Sequence, residues 1–498
     1  MTMTTPGSAR PDGSAAEIGL DPTDWSEITR LGHRMVDDLV DYLKGVREMP
    51  VHRPMPEGVK RGFEQGTLPV EASSADEVYD EVRSNVLPYP HGNIHPRFFG
   101  WVVGTGTPVG MLADLVAGAI NSNSGFGEHC APHVEGQVVS WLREIFGFPE
   151  ASSGILVSGC SVANLVGLAV ARNTKAGGDV RKTGVADLPA GLRIYGSSET
   201  HSSNHRALEL LGLGRDAFRP IAVDSEHRVR IEPLRAAIRA DREAGLRPIA
   251  VIGNAGTVNV GAIDDLSELA DLCESENLWL HVDGAFGSLI ALSPELRPRL
   301  RGIERVDSLA FDLHKWMHIP YDAGGVLVRD AAAHEDSFRI AGAYLSKLES
   351  GLATGPTNFM DHGVQMSRGF RALKVWMTMK TYGTARLGET IAMNVRQARH
   401  LAALVDRDPE LERMAPAPLN IVCFRYAPQG AELGPEALDE LNRELLVRLH
   451  HSGVAAPSHT TIDGRFVLRT SITNHRTRFD DLEVLTREVV RIGRELVG

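Results

Sequence analysis

Short apolar segments alternate with helical patterns between about residue 85 and residue 380, and this alternation constrains the fold more than any other feature. The apolar segments have the length of buried strands and lie at Gly154–Val157, Leu192–Tyr195, Pro248–Ile252, Leu278–Val282, Ser308–Phe311 and Gly325–Val328. Helical patterns lie between them at Ser161–Arg172, Glu232–Glu243 and Leu266–Glu274. This order predicts a mostly parallel, doubly wound α/β sheet with helices on both faces. In such folds, ligands bind beyond the carboxyl ends of the strands.

The regions on either side have different patterns. Residues 1–20 are small and polar and lack the apolar core of a signal peptide, so we expect a disordered tail. Apolar residues between Trp25 and Leu43 recur at three- and four-residue spacing, which predicts a helix packed on its own subunit or on another. Later strand patterns at Ile421–Tyr426 and Phe466–Thr470 predict a smaller α+β domain. We therefore expect a helical arm over 21–85, a large domain over 86–380 and a small domain over 381–498.

The composition argues against several classes of protein. The net charge is −12, whereas non-specific nucleic-acid binding needs a basic face. No apolar run has the length of a membrane-spanning helix. The four cysteines form no CxxC pair, which predicts neither a zinc site nor a disulfide framework and favours a reduced, cytoplasmic setting. We expect no metal, no nucleic-acid partner and no membrane association.

Two of the predicted strands end in residues that suit one cofactor. Asp283 directly follows Leu278–Val282, and Lys315 lies just beyond Ser308–Phe311. Taken alone, such a lysine more often extends to solvent, and such an aspartate more often caps a helix. Together they match pyridoxal phosphate (PLP): a lysine of lowered pKa forms a Schiff base with its aldehyde, and a carboxylate keeps its pyridine nitrogen protonated.

Two further turns are predicted at the same carboxyl ends of the strands and could contact the same cofactor. The turn from Ser158 to Ser161 contains a glycine and opens a helix, so its backbone N–H groups can bind a phosphate, although many strand–helix turns look similar. His201 follows the strand Leu192–Tyr195, and a neutral imidazole there can stack on a ring and transfer protons. A lone histidine in a loop is more often an ordinary surface residue.

The combination of HVDGAFG at 281–287 with DLHKW at 312–316 resembles the group II PLP decarboxylases, the family of aromatic-amino-acid, histidine and glutamate decarboxylases. The resemblance covers nearly the whole chain after residue 22 and includes HPRFFGW at 95–101, GNAGTVNVGAIDDL at 253–266 and LRTSITNHRT at 468–477. It implies PLP fold type I, aspartate-aminotransferase-like, with a mostly parallel seven-stranded sheet. It also implies an intertwined homodimer with shared active sites, and decarboxylation of an L-amino acid, aromatic in preference, to the amine and carbon dioxide.

The resemblance implies a role for each residue of the site. Lys315 carries pyridoxal 5'-phosphate as a Schiff base, Asp283 faces the pyridinium and His201 stacks on the ring. Further cofactor contacts are implied for Cys160, Ser161, Thr257, Asp312 and His314. The substrate pocket is implied at Trp101, Val102, Gly104, Phe126, Glu128 and His129.

Tyr344 corresponds to the family's catalytic tyrosine, which returns a proton to the substrate carbon after carbon dioxide leaves. It lies in the glycine-bounded segment 342–355, whose composition is typical of a lid. Relatives that oxidise the substrate to an aldehyde carry phenylalanine there, so Tyr344 favours simple decarboxylation. The alternatives are an aldehyde synthase, a decarboxylase of acidic, imidazole or basic amino acids, and a non-catalytic relative. The intact set of Lys315, Asp283, His201 and Tyr344 argues against the last.

Overall fold

The structure is a computed structural model that describes residues 19–186, 188, 191–339, 350–430 and 433–498. Its contacts divide the chain into two units. The first contains residues 19–45 and Met55–Tyr89, and the second contains Val46–Pro54 and Pro90–Gly498. The expected tail thus lies almost wholly outside the described residues, and so does Tyr344.

The first unit consists of the helices α1 (Trp25–Lys44), α2 (Glu57–Gln65) and α3 (Ala75–Asn85). Helix α1 begins where the side chain of Asp24 accepts a hydrogen bond from Ser26 N, and α3 begins with a capping box between Ser74 and Glu77. The Tyr79 hydroxyl of α3 donates to Asp38 Oδ2 of α1 at 3.1 Å. The helix predicted from the apolar spacing after Trp25 is therefore present as α1.

The second unit contains the remaining strands and helices. In chain order they are β1 (Phe98–Phe99), α4 (Pro108–Ile120), α5 (Cys130–Phe146), β2 (Ser153–Val157), α6 (Cys160–Lys175), α7 (Val180–Thr183), β3 (Leu192–Ser197), α8 (Ser202–Leu210), β4 (Phe218–Ile221), α9 (Ile231–Glu243), β5 (Arg247–Asn254), α10 (Leu266–Ser275), β6 (Trp279–Asp283), β7 (Ser308–Asp312), α11 (Leu313–Trp316), β8 (Gly324–Val328), α12 (Ala331–Phe338), α13 (Arg371–Arg407), β9 (Leu411–Arg413), β10 (Ile421–Tyr426), α14 (Pro435–Ser452), β11 (Ala456–Ile462), β12 (Arg465–Ser471) and α15 (Phe479–Val497).

Within the described residues, seven strands form the large sheet in the order β2-β8-β7-β6-β5-β3-β4. Strands β3 to β7 run parallel to one another, and β8 runs antiparallel to both β7 and β2. The connection from Leu313 to Ala323 explains this exception, because a parallel pair needs a crossover of about a dozen residues or more. The fold-type-I architecture expected from the sequence is confirmed.

Each of the predicted strands of the large domain is present, with ends that differ by a few residues at most. The prediction missed β4, which is four residues long and contains Arg219 and Pro220. Proline is tolerated there because β4 lies at the edge of the sheet, where a backbone N–H can be dispensed with.

Helix α6 packs across the centre of the sheet, and small residues let it come close. Gly167 faces β6, where an added Cβ would lie 2.7 Å from the imidazole of His281. Nearly all of α6 from Ala163 to Ala171 is buried. The close approach brings the side chains of α6 to the end of β6, where the predicted site lies.

The second sheet has the order β1-β11-β12-β10-β9 among the described residues. The predicted strands at Ile421–Tyr426 and Phe466–Thr470 are its members β10 and β12. Helix α13 connects the two sheets and is interrupted at Gly383, whose φ of 72° lies in the left-handed region. This interruption falls close to the expected boundary at 380–381, and the division into a large and a small domain stays a prediction. No helix among the described residues is long and apolar enough to cross a membrane.

A buried ion pair joins three distant segments of the second unit. Glu135 of α5 and Arg368 are both 1% exposed, and Arg368 Nη1 donates to Glu135 Oε2 at 3.0 Å. Both side chains also bond the backbone of Leu156 in β2: Leu156 N donates to Glu135 Oε1 at 3.0 Å, and Arg368 Nη2 donates to Leu156 O at 2.6 Å. The pair therefore fixes β2 at the edge of the large sheet.

We predict that Glu135→Ala lowers the free energy of unfolding by about 3–5 kcal/mol, because it leaves the Arg368 guanidinium buried without its counterion. The measurement is urea denaturation followed by circular dichroism. Glu444→Ala is the matched control, since it removes an exposed carboxylate that pairs with Arg448 on α14 and should cost about 1 kcal/mol or less. Equal losses in the two variants would show that the buried pair is dispensable.

Candidate active site

A cavity of about 370 Å³ opens at the carboxyl ends of the parallel strands. The strand ends of β5, β6 and β7, the loop after β3 and the turn after β2 all contribute to it. Its lining residues are Trp101, Val102, Gly159, Cys160, Ser161, Glu199, His201, Ser203, Asn254, Gly256, Thr257, Val258, Asp283, Ala285, Phe286, Asp312, His314 and Lys315. The structure thus brings Asp283, Lys315, His201 and the turn after β2 together, as the carboxyl-end rule predicts.

Lys315 forms an ion pair with the carboxylate that ends β7. Its Nζ lies 2.9 Å from Asp312 Oδ2, and Asp312 is 2% exposed. Burial alone disfavours the ammonium, but the adjacent Asp312 outweighs this effect and raises the pKa of Lys315 above its ordinary value. The sequence pattern did not show that Asp312 pairs with this lysine.

His314 has a defined tautomer beside the same carboxylate. Its Nδ1 accepts a hydrogen bond from Ala323 N at 3.1 Å, so the proton of the neutral ring lies on Nε2. That nitrogen is 3.7 Å from Asp312 Oδ2. Burial lowers the pKa of His314 despite the nearby carboxylate, so the neutral ring is favoured. Its ring packs against Tyr321 with centroids 4.4 Å apart.

Asp283 is held by neutral donors. Its Oδ2 accepts from Asn164 Nδ2 at 2.9 Å and from Asn204 Nδ2 at 2.8 Å, and its Oδ1 accepts from Ala285 N at 3.2 Å. Hydrogen bonds of this kind satisfy a buried carboxylate without neutralising its charge. Asp283 can therefore face a cationic ring nitrogen as an anion. The sequence analysis missed both asparagines, which lie on α6 and α8.

The turn after β2 has the shape of a phosphate cradle. Gly159 has no side chain to cap α6, and an added Cβ there would lie 3.2 Å from His314 and 3.5 Å from Asp312. The Cys160 N–H donates to Asp312 Oδ1 at 2.6 Å, and Ser161 is exposed at the start of the helix. Burial raises the pKa of the Cys160 thiol well above its ordinary value, so this cysteine is a neutral lining residue.

Thr257 and His201 also line the cavity. Thr257 Oγ1 accepts from Ala262 N at 3.1 Å, which closes the turn after β5 and leaves the hydroxyl proton free to donate. His201 Nδ1 accepts from Ser203 N at 3.2 Å, so the proton of the neutral ring lies on Nε2. Desolvation lowers the pKa of His201, which favours the neutral imidazole expected of a stacking residue.

The implied substrate pocket divides into two groups. Trp101 and Val102 line the cavity, whereas Gly104, Phe126, Glu128 and His129 are not among the described residues that line it. Gly104 packs against the His314 backbone, where an added Cβ would lie 1.6 Å from the carbonyl oxygen. Glu128 pairs with His133, and His129 accepts from Ala131 N at the start of α5. Their assignment to the substrate pocket stays a prediction.

Glu199 and Asn254 are cavity residues that the sequence analysis did not assign. Glu199 follows β3, and its Oε2 accepts from Asn259 Nδ2 at 2.8 Å. Asn254 is the last residue of β5 and donates to Asp264 Oδ2 at 3.0 Å. Their positions at the ends of predicted strands are a signal that could have identified them. Among the described residues, no group of three or more His, Cys, Asp and Glu side chains could hold a metal ion.

These residues fit PLP by their chemistry. A lysine is available for the aldehyde, a carboxylate for the pyridine nitrogen, and Ser161 in the first turn of α6 for the phosphate. A side chain at Gly159 would crowd the His314 ring, from which an added Cβ would lie 3.2 Å. Fold and site together define a PLP-dependent enzyme of fold type I.

Residues 56–427 match the model of the pyridoxal-dependent decarboxylase conserved domain. The chain belongs to this family and is a PLP-dependent amino-acid decarboxylase. It is 34% identical to an aromatic-L-amino-acid decarboxylase of Bacillus atrophaeus over 94% of this chain and 96% of the relative.

Two solved structures extend this similarity to the fold. The crystal structure of Oryza sativa TDC with PLP and tryptamine has a TM-score of 0.88 and 29% sequence identity, and the match covers 96% of this chain and 100% of that one. The Rhodiola rosea 4-hydroxyphenylacetaldehyde synthase has a TM-score of 0.85 and 26% identity over the same shares of the two chains. The family thus includes relatives of both expected activities.

We predict that Asp312→Asn shifts the attachment of PLP to lower pH. Asparagine keeps an acceptor for Cys160 N–H but removes the charge that raises the pKa of Lys315, so the reactive neutral amine forms at lower pH. The measurement is the visible absorbance of apoprotein mixed with PLP as a function of pH. Asp322→Asn is the control, because Asp322 is half-exposed and pairs with Arg371. An unchanged midpoint in Asp312→Asn would exclude electrostatic control of Lys315 by this carboxylate.

Proposed function

We propose that the protein decarboxylates an aromatic L-amino acid at the cavity that contains Lys315 and Asp283. The observation that carries this proposal is the placement of these two groups at the ends of the adjacent strands β6 and β7, in one cavity. The aromatic preference is supported by the similarity to the Bacillus atrophaeus enzyme and by the Trp101, Val102 and Phe286 side chains in the wall.

Each described residue of the cavity has its own role in the proposed reaction. When bound, PLP supplies a protonated pyridine ring that accepts the electrons left on the substrate carbon as carbon dioxide departs. Asp283 would hold a negative charge for the pyridine nitrogen, and Ser161 at the start of α6 would bind the phosphate. Lys315 supplies the amine for the aldehyde, and Asp312 holds the proton of its Nζ. His201 presents a ring whose Nε2 carries a proton.

Tyr344 supports amine formation over aldehyde formation on sequence grounds, as its position lies outside the described residues. The aldehyde synthase remains the second candidate function, because the fold matches that of the Rhodiola rosea enzyme. Glu199 adds a carboxylate to the cavity wall, which favours substrates that carry a hydrogen-bond donor, such as a hydroxylated aromatic or an imidazole side chain.

We predict that the holoenzyme releases carbon dioxide and amine in equal amounts from an aromatic L-amino acid. The assay is a panel of aromatic, imidazole, acidic and basic amino acids in which carbon dioxide, amine, hydrogen peroxide and ammonia are measured together. Lys315→Ala should lose both the visible absorbance of the bound cofactor and the activity. Lys374→Met, which changes a second buried lysine outside the cavity, is the control for folding.

The outcomes separate the candidate functions. Hydrogen peroxide and ammonia in amounts equal to carbon dioxide would identify an aldehyde synthase. Full turnover by Lys315→Ala would contradict the role of this lysine. A preference for acidic or basic amino acids would contradict the aromatic assignment while leaving the decarboxylase in place.

We infer that the protein is a homodimer, as the sequence resemblance implies. Helix α4 packs on α13 with one side and exposes four large apolar residues on the other. Leu112, Leu115, Val116 and Ile120 are 40%, 62%, 43% and 49% exposed. Their spacing places them on one face, and an apolar stripe of this kind is typical of an interface. A second copy of the chain is the partner that supports this proposal best.

We predict that Leu115→Lys dissociates the dimer, because a charged side chain in an apolar interface is costly to desolvate. Light scattering after size-exclusion chromatography measures the mass. Val447→Lys is the matched control: Val447 is 47% exposed on α14, away from this face. A monomeric wild-type protein, or a dimeric Leu115→Lys variant, would contradict the assignment of the interface to α4.

The cysteines support the reduced, cytoplasmic setting expected from the sequence. Cys130, Cys160, Cys273 and Cys423 are all free, and the last three are buried. Burial also raises the thiol pKa of Cys160 and Cys273, which keeps these thiols protonated and unreactive. Under oxidising conditions, Cys130 is therefore the cysteine whose thiol is accessible for disulfide formation.

A further inference from the structure

Asn164 is the centre of a buried hydrogen-bond network behind the cofactor cavity. Its side chain is 0% exposed and uses all of its polar atoms. Oδ1 lies 3.0 Å from His281 Nε2, and Nδ2 donates to Asp283 Oδ2 at 2.9 Å and to Ser203 Oγ at 3.1 Å. An acceptor on one side and two donated bonds on the other fix the orientation of the carboxamide.

The direction of each bond on the inner side follows from Asn164, whose Oδ1 can only accept, so His281 Nε2 donates to it. Trp279 Nε1 can only donate, and it donates to Ser308 Oγ at 2.8 Å. Ser308 Oγ also lies 2.8 Å from His281 Nδ1, to which it can donate its own proton. His281 is 0% exposed, and desolvation lowers its pKa to about 4, so the ring is neutral. The proton of His281 then lies on Nε2 and is donated to Asn164 Oδ1.

The network continues on the outer side to His201. Ser203 Oγ accepts from Asn164 and lies 2.8 Å from His201 Nδ1. Since Ser203 N also donates to this nitrogen, Nδ1 is an acceptor and the Ser203 hydroxyl donates to it. Every hydrogen bond from Trp279 to His201 therefore has one consistent direction, and both Asp283 and His201 depend on the same carboxamide.

We propose that Asn164 is a positioning residue, held by Trp279, Ser308 and His281, that sets the orientation of the Asp283 carboxylate and directs the Ser203 hydroxyl to His201 Nδ1. This inference rests on the roles proposed above for Asp283 and His201. The amides of Asn164 and Asn204 both donate to Asp283 Oδ2, and Ala285 N donates to Oδ1, so the carboxylate has one fixed orientation. Its second donated bond directs the Ser203 hydroxyl to His201 Nδ1, which also accepts from Ser203 N.

The test uses Ser308→Ala, which alters the network at a residue that does not line the cavity. Loss of the hydroxyl leaves His281 Nδ1 without its donor, so the ring and then Asn164 lose their fixed orientation. We expect the dissociation constant of PLP from apoprotein, measured by fluorescence quenching, to rise about tenfold. We also expect the visible spectrum of the bound cofactor and its pH dependence to change.

Ser153→Ala is the matched control. Ser153 Oγ lies 2.7 Å from His334 Nδ1, and His334 is as buried as His281 with its pKa lowered to about 3 by desolvation. This pair lies at the start of β2, away from the lining of the cavity. Both variants should lower the melting temperature of the apoprotein, whereas only Ser308→Ala should change PLP affinity and spectrum.

Two further variants keep the inference testable if Ser308→Ala does not fold. Trp279→Phe keeps an aromatic ring but removes the donor to Ser308. It should change the visible spectrum of the bound cofactor as Ser308→Ala does. Asn164→Asp removes both donated bonds and places a second carboxylate against Asp283, so PLP affinity should fall further. Wild-type affinity and spectrum in any of these variants that folds, or equal effects in Ser153→Ala, would overturn the inference. Failure of the wild-type protein to bind PLP would instead overturn the proposed function.

Discussion

Two carboxylates end adjacent strands in the interior of the protein, and the rest of the site is arranged around satisfying them. Asp312 is paired with a cation, Lys315, and with the Cys160 amide, while Asp283 is held by the neutral amides of Asn164 and Asn204. A buried charge is tolerated only with partners of this kind. Because the partners differ, the two carboxylates have different roles. Asp312 at the end of β7 raises the pKa of Lys315, and Asp283 at the end of β6 has no cationic partner among the residues that hold it.

Much of the fold was predictable, because buried parallel strands are continuous apolar runs that helical patterns separate clearly. The runs that became β5 to β8 are of this type and were found nearly to the residue. Strand β4 was not, because Arg219 and Pro220 in a four-residue edge strand leave no apolar run to detect. The antiparallel direction of β8 could not be predicted either. It depends on the length of the connection between β7 and β8, and the sequence did not define the ends of that connection.

The site was predictable where chemistry sits at a strand end and not where it sits inside a helix. Asp283, Lys315 and His201 follow strands directly, so one rule places them in one cavity. Asn164 and Asn204 lie within α6 and α8, where an asparagine is an ordinary residue of a helical pattern until its burial is known. Phe126, Glu128 and His129 were assigned by resemblance alone, and the geometry of the described residues does not bring them to the cavity.

The order of the large sheet has a consequence for how the protein folds. Among the described residues, strand β2 pairs only with β8, and Ser153 and Val328 have a sequence separation of 175. Of the strands in the large sheet, β2 is synthesised first and β8 last. The first strand can therefore pair only after the last has been synthesised, and closing so long a loop is slow. The helix that opens the phosphate cradle follows β2 directly. We therefore expect the ability to bind cofactor to be acquired late, after residue 328 has been synthesised and β2 has paired with β8.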